Sequence, residues 1–154
     1  MLKKMITYTD FNGNQRTDPF YFNLTKAELL EMEVGADGGL AELLKKIVET
    51  RDERGLVHEF KKFILMSIGE KSDDGTRFIK NDQIREAFTQ TEAYSVLFME
   101  LAQDDGAAAV FIKGLMPADL QNEVTMEIKQ NELNAQTAAA VSGTSLTPPP
   151  LPTA

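Results

Sequence analysis

The sequence predicts a mainly α fold: a bundle of five to six helices with a small N-terminal β-hairpin and a disordered C-terminal tail. Three observations predict it. Apolar residues recur at helical spacing in successive blocks between Leu29 and Ile128. Ahead of them, two short β-branched and aromatic runs flank Asn12-Gly13. Behind them, residues 134–154 carry no charge, no aromatic ring and no periodic stripe. The expected organisation is one helical domain over residues 1–133, with the hairpin in 1–24, and a tail over 134–154.

The hairpin rests on Lys4 to Thr9, which puts Ile6 and Tyr8 on one face, and on Phe20-Tyr21-Phe22, which does the same for Phe20 and Phe22. Asn12-Gly13 between them suits a type I′ turn, which needs φ > 0 at both central residues. Pro19 has no N–H, so it belongs at the start of its strand or on an edge. An isolated hairpin is marginal in water, so its aromatic face must pack on the helices.

Thr25-Lys26-Ala27-Glu28 is a capping box, opening a helix that carries Leu29, Leu30 and Met32. Residues 34–39, VGADGG, break it. Leu40, Leu43, Leu44, Ile47 and Val48 form the next stripe. Asp52 to Gly55 reads as a charged turn. Leu56 to Ile68 is the most apolar helix, with Leu56, Phe60, Phe63, Ile64 and Ile68 in one stripe, and it is expected at the centre of the bundle, ended by Gly69 as a C-cap. Glu70 to Gly75 reads as a polar loop. Asn81 or Asp82 caps a helix with Ile84, Ala87 and Phe88 inward. Thr89 or Thr91 starts another, with Tyr94, Leu97, Phe98 and Leu101. A shorter helix follows Asp104-Asp105-Gly106, with Ala108, Phe111, Ile112 and Leu115. Pro117 suits the first turn of a last helix, thinly striped by Leu120, Val124 and Ile128. The Pro-rich tail favours extended polyproline II conformations and buries too little apolar surface to offset the entropy of ordering it.

Composition excludes several function classes. The 154 residues hold no Cys and one His, so a disulfide framework, a Cys-ligated zinc, a thiol nucleophile and a multi-His metal site are all ruled out. The N-terminal lysines precede no apolar segment of the kind a signal peptide needs, and no apolar run spans a membrane. Net charge is −8 and falls unevenly: residues 1–80 are near balance at −1, and residues 81–133 carry −7. With no basic patch to neutralise phosphates, nucleic-acid binding is not expected. An acidic surface attracts a basic partner or simply keeps the protein soluble. Glu100, Asp104, Asp105, Glu123 and Glu127 are the candidate partner-binding residues.

No chemistry-bearing motif survives inspection. Gly69-Glu70-Lys71-Ser72 imitates the end of a phosphate loop, but Glu70 separates the Gly from the Lys and no glycine-rich turn precedes it. Placing Gly75 or Gly106 at the glycine of an EF-hand leaves Asn81 or Ile112 where a Glu is required. His58 has no nucleophile motif beside it and reads as a surface or boundary histidine. No cofactor is expected.

Three stretches resemble a known family: TYTDFNGNQRTDPFYFNLTKAELLEME (7–33), ILMSIGEKSDDGTRFIKNDQIREAFTQTEAYSVLFMELAQD (64–104) and MPADL (116–120). They look like the tail assembly chaperones of bacteriophages with long, non-contractile tails. The resemblance implies a non-enzymatic protein of the bacterial host cytoplasm, absent from the finished virion. It implies binding to the tape-measure protein, which the chaperone keeps soluble, and help in recruiting tail-tube subunits. It also implies some self-association and, in many members, a longer form made by a programmed frameshift near the place where residues 134–154 lie here. The alternative from charge alone is an acidic phage or host adaptor that mimics DNA to inhibit a nucleic-acid enzyme.

Overall fold

A computed structural model describes residues 1–35 and 53–142, in two compact units, Met1–Gln121 and Asn122–Ala154. The stripe Leu40 to Val48 lies outside the described residues, as do Asp52 and residues 143–154.

In the first unit, strands β1 (Leu2–Thr9) and β2 (Gln15–Phe22) form the expected antiparallel hairpin, with Leu2 opposite Phe22 and Thr9 opposite Gln15. The turn differs from expectation. Only Gly13 has positive φ, at 82°, and Asn12 does not. Gly13 N–H donates to Asp10 C=O (2.9 Å), and Asp10 N–H to Asn14 C=O (2.9 Å), which makes a three-residue loop ending in a left-handed glycine. The Asp10 carboxylate selects it by accepting the Asn12 and Asn14 amides, each at 2.9 Å.

Helix α1 (Lys26–Gly35) starts at the predicted capping box: Glu28 N–H donates to Thr25 Oγ1 (3.2 Å), and Thr25 N–H donates to Glu28 Oε2 (2.8 Å). Helix α2 (Glu53–Ser67) begins earlier than the sequence suggested, so Glu53 to Gly55 are helical rather than a turn. Phe60, Phe63 and Ile64 are buried in the core, while Val57 and His58 are exposed, so one side of this helix meets solvent.

Beyond Ser67 the expectation of an all-helical body fails. Ile68–Lys71 is strand β3 and Phe78–Ile79 is strand β4, giving a four-stranded sheet in the order β1-β2-β3-β4. Gly69 is therefore not a helix cap. Its φ is negative, and its role is steric: a Cβ there would lie 2.5 Å from Phe78 Cε1 and 2.6 Å from the Ile79 carbonyl oxygen. Residues read as a loop form a second hairpin around Gly75 (φ 72°). Asp74 ties it by accepting from the Ser72 hydroxyl (2.6 Å) and from the Thr76 amide (3.1 Å) and hydroxyl (2.9 Å).

Three short helices follow: α3 (Asp82–Thr89), α4 (Glu92–Gln103) and α5 (Asp105–Leu115). Each has a side-chain cap on its first turn, from Asn81, Thr91 and Asp104 respectively. Helix α4 packs on β1, burying Ala93, Leu97 and Leu101. An aromatic row runs through the core. Phe22 meets Phe88 (centroids 5.9 Å) and Phe111 (5.1 Å), both edge-on, and Phe88 continues to Tyr94 (5.7 Å).

Helix α6 (Ala118–Ser142) leaves the first unit at Gln121 and makes up the described part of the second. It runs into the segment predicted to be disordered, so residues 134–142 are helical. The physical reason is composition: Ala135, Ala138, Ala139 and Ala140 have the highest intrinsic helix propensity, which the search for an apolar stripe ignores.

Candidate functional site

The sheet divides just beyond Tyr21. β2 pairs with β3 only at Tyr21–Gly69 and Phe22–Ile68, after which β3 turns to β4. From Pro19 back to Gln15, β2 has no strand on that side among the described residues. In the fork lies a cleft of about 510 Å³, lined by Pro19, Phe20 and Tyr21 from β2, Ile68 to Lys71 from β3, Ile84, Ala87 and Phe88 from α3, and Thr91. The size suits a side chain or short segment of another molecule. Phe20 and Phe88 form its aromatic wall (centroids 5.0 Å apart). Helix α3 is held at that wall by Arg85, whose Nε donates to the Leu65 carbonyl near the end of α2 (2.8 Å) and whose Nη1 pairs with Asp82 (2.9 Å).

Near the other end of the hairpin, Asp18 accepts from the Tyr8 hydroxyl (2.6 Å) and from Arg16 Nε (3.1 Å). The Tyr8 hydrogen bond, helped by Arg16, holds the Asp18 carboxyl below its ordinary pKa, and the same bond raises that of Tyr8.

Of the five acidic candidates, the structure places two together at the end of α4, and both already have structural tasks. Glu100 pairs with Lys4 of β1 (2.9 Å), tying α4 to the sheet with side chains 41% and 27% exposed. Asp104 is the N-cap of α5, accepting from the Ala107 amide (3.1 Å). Asp105 opens α5, and Glu123 and Glu127 lie on α6 within the second unit, but their side chains lie outside the described ones. His58 is exposed on α2. Among the described residues no cluster of His, Asp and Glu is arranged for a metal, and no helix is long and apolar enough to cross a membrane.

The cleft is not predicted by the sequence, because Gly69 after an apolar helix imitates a C-cap and Glu70 to Gly75 a polar loop. A signal for it was present: Ile68 to Lys71 and Arg77 to Ile79 flank Asp74-Gly75, the pattern of a second hairpin.

A family model described as phage tail assembly chaperone matches residues 1–148. The chain belongs to that family. The match takes in the whole first unit with its two hairpins and cleft, and the whole described length of α6. No curated protein and no solved structure matches the chain. As a tail assembly chaperone it has tail proteins, as a class, for partners.

Proposed function

We propose that this chaperone binds the tape-measure protein in the host cytoplasm, keeps it soluble while tail-tube subunits gather around it, and leaves before the virion is finished. It acts by binding and not by catalysis. The observation that carries this reading is the family match over residues 1–148. The cleft supports it with an apolar recess that can take side chains from an unfolded or helical client. The acidity of residues 81–133 supports a client segment with basic residues. Contacts by Glu100, Asp104, Asp105, Glu123 and Glu127 are part of the proposal, Glu100 and Asp104 acting alongside their structural pairings.

Co-expression tests it. The tape-measure protein of the same phage should be insoluble alone and soluble with this chain, and the purified complex should weaken as salt rises, since exposed charges are screened over about 8 Å at physiological ionic strength. A tape-measure protein that stays insoluble with the chaperone present overturns the reading. A complex indifferent to salt leaves the cleft and removes the acidic contacts.

A further inference from the structure

Pro19 decides where the sheet divides. In an antiparallel ladder, alternate residues turn their N–H and C=O groups to opposite sides of the strand. Asn23 N–H donates to the Ser67 carbonyl (2.8 Å), in register with Tyr21–Gly69, so odd-numbered residues of β2 address β3. Even-numbered ones address β1, a series that Asp10 N–H to Asn14 C=O (2.9 Å) continues, and the close Thr7 and Thr17 hydroxyls (2.9 Å) mark the positions between. On β3, Ser72 N–H donates to the Arg77 carbonyl (2.9 Å), in register with Glu70–Ile79, so Lys71 turns its backbone groups away from β4 and toward β2. Two places beyond Tyr21–Gly69 the register sets Lys71 opposite Pro19, which has no N–H to give, and the pairing stops there. Lys71, Thr17 and Gln15 each turn an N–H and a C=O into the fork, and Pro19 turns a C=O, with no bond to any of these groups among the described residues. Gln15, Thr17 and Pro19 are exposed. Helix α4 packs on β1, toward the opposite edge, and the cleft floor of Phe20, Ile84, Ala87 and Phe88 opens alongside Pro19. An exposed strand edge with its backbone groups free is a template for another strand.

We infer that the cleft holds its client as an extended segment, which lies beside β2 in the place β3 vacates and exchanges backbone hydrogen bonds with Gln15 and Thr17. Pro19 keeps β3 from filling that place. The edge from Gln15 to Pro19 spans about 17 Å, and its free groups recur at every second residue, a spacing that only an extended chain matches. A helix keeps its backbone bonds within itself and would use the apolar recess alone. Side chains of the segment alternate as well. Those on the Phe20 side rest on Phe20 and Phe88 and are apolar, and those beside Thr17 and Pro19 meet solvent and are polar. The chemistry recognised is therefore an unfolded stretch of alternating apolar and polar residues, and a stretch already folded into a helix is passed over. The client's identity rests on the tape-measure reading, and what the fork adds is the conformation in which that client is held.

Short overlapping peptides tiling the tape-measure protein are the probe, added to the full chain labelled for NMR. The peptides that bind should carry alternating apolar residues. On binding, the Thr17 and Gln15 amides should exchange with solvent about tenfold more slowly, while those of Arg16 and Asp18, already in the ladder with β1, stay as they were. Thr17→Pro removes an outward N–H without touching that ladder and should weaken binding about tenfold. Thr17→Val keeps the N–H, loses only the hydroxyl bond with Thr7, and should bind as the wild type does. Ala87→Glu puts a charge at an exposed position on the cleft floor and should also weaken binding. If the proline variant does not fold, the wild-type amides decide. Peptides that bind with Thr17 and Gln15 still exchanging freely, or that bind as helices, overturn the inference. So does a tape-measure protein kept soluble by the chain although none of its peptides binds, and the chaperone reading then survives. A tape-measure protein never kept soluble overturns that reading, and the extended client falls with it.

Discussion

Glu28 has two tasks. Its carboxylate closes the capping box on Thr25 and takes both short bonds from Lys80 Nζ, at 2.6 and 2.7 Å, across 52 positions of sequence. Burial pushes its pKa up, but the hydrogen bonds from Lys80 and Thr25 outweigh burial, so the net shift is downward from 4.5. A depressed carboxylate contributes stability that is complete above its unfolded pKa and is lost as pH falls through its folded one. Glu28→Gln should therefore destabilise the protein by about 1–2 kcal/mol at pH 7, and its urea midpoint should fall less steeply than the wild type below pH 4.5. Parallel acid profiles for the two proteins would show that the pairing is worth nothing. The capping half of this arrangement was legible in Thr25-x-x-Glu28, because it is local. The Lys80 half was not, because nothing in the spacing joins residues 52 apart. At Asn12-Gly13 the reverse happened: a strong dipeptide signal gave the right hairpin and the wrong turn, because the Asp10 carboxylate captured two loop amides.

The element most sensitive to a single atom is β3. Gly69 lets β4 approach closely enough to pair, and Gly69 itself lines the cleft on β3. Gly69→Ala must push Phe78 or the Ile79 backbone aside, at a cost of about 1–3 kcal/mol. The expected result is a lower urea midpoint with an unchanged slope, together with weaker tape-measure binding. A wild-type midpoint would mean that the strands part freely. Helices were the readable elements. The stripes of α2, α4 and α5 repeat at i, i+3 and i+4, and Phe63, Leu97 and Ile112 are all buried as that period requires. Strand β3 is not legible because four residues offer too few alternations to outweigh a glycine after a helix.

At the scale of the whole chain, α6 carries the fold out of its first unit and through Ser142, ahead of the Pro-rich residues 148–152. We propose, on the family resemblance, that a longer form made by ribosomal frameshifting continues from this region. The gene should then hold a slippery heptamer among its last codons and an overlapping −1 frame, and a nucleotide sequence without that frame removes the two-form mechanism. The family was legible because whole phrases of sequence carried it. The sheet topology was not, since pairing between β2 and β3 is a long-range fact that depends on packing. Asp104 shows how little slack the molecule has. It is the C-cap of α4 and the N-cap of α5, so no spacer separates the two helices. One residue inserted in the first turn of α5 would turn the rest of that helix by about 100° relative to its Asp104 cap, swinging Phe111, Ile112 and Leu115 out of the core as a set. The spacing between α4 and α5 therefore works as a fixed gauge for the whole first unit.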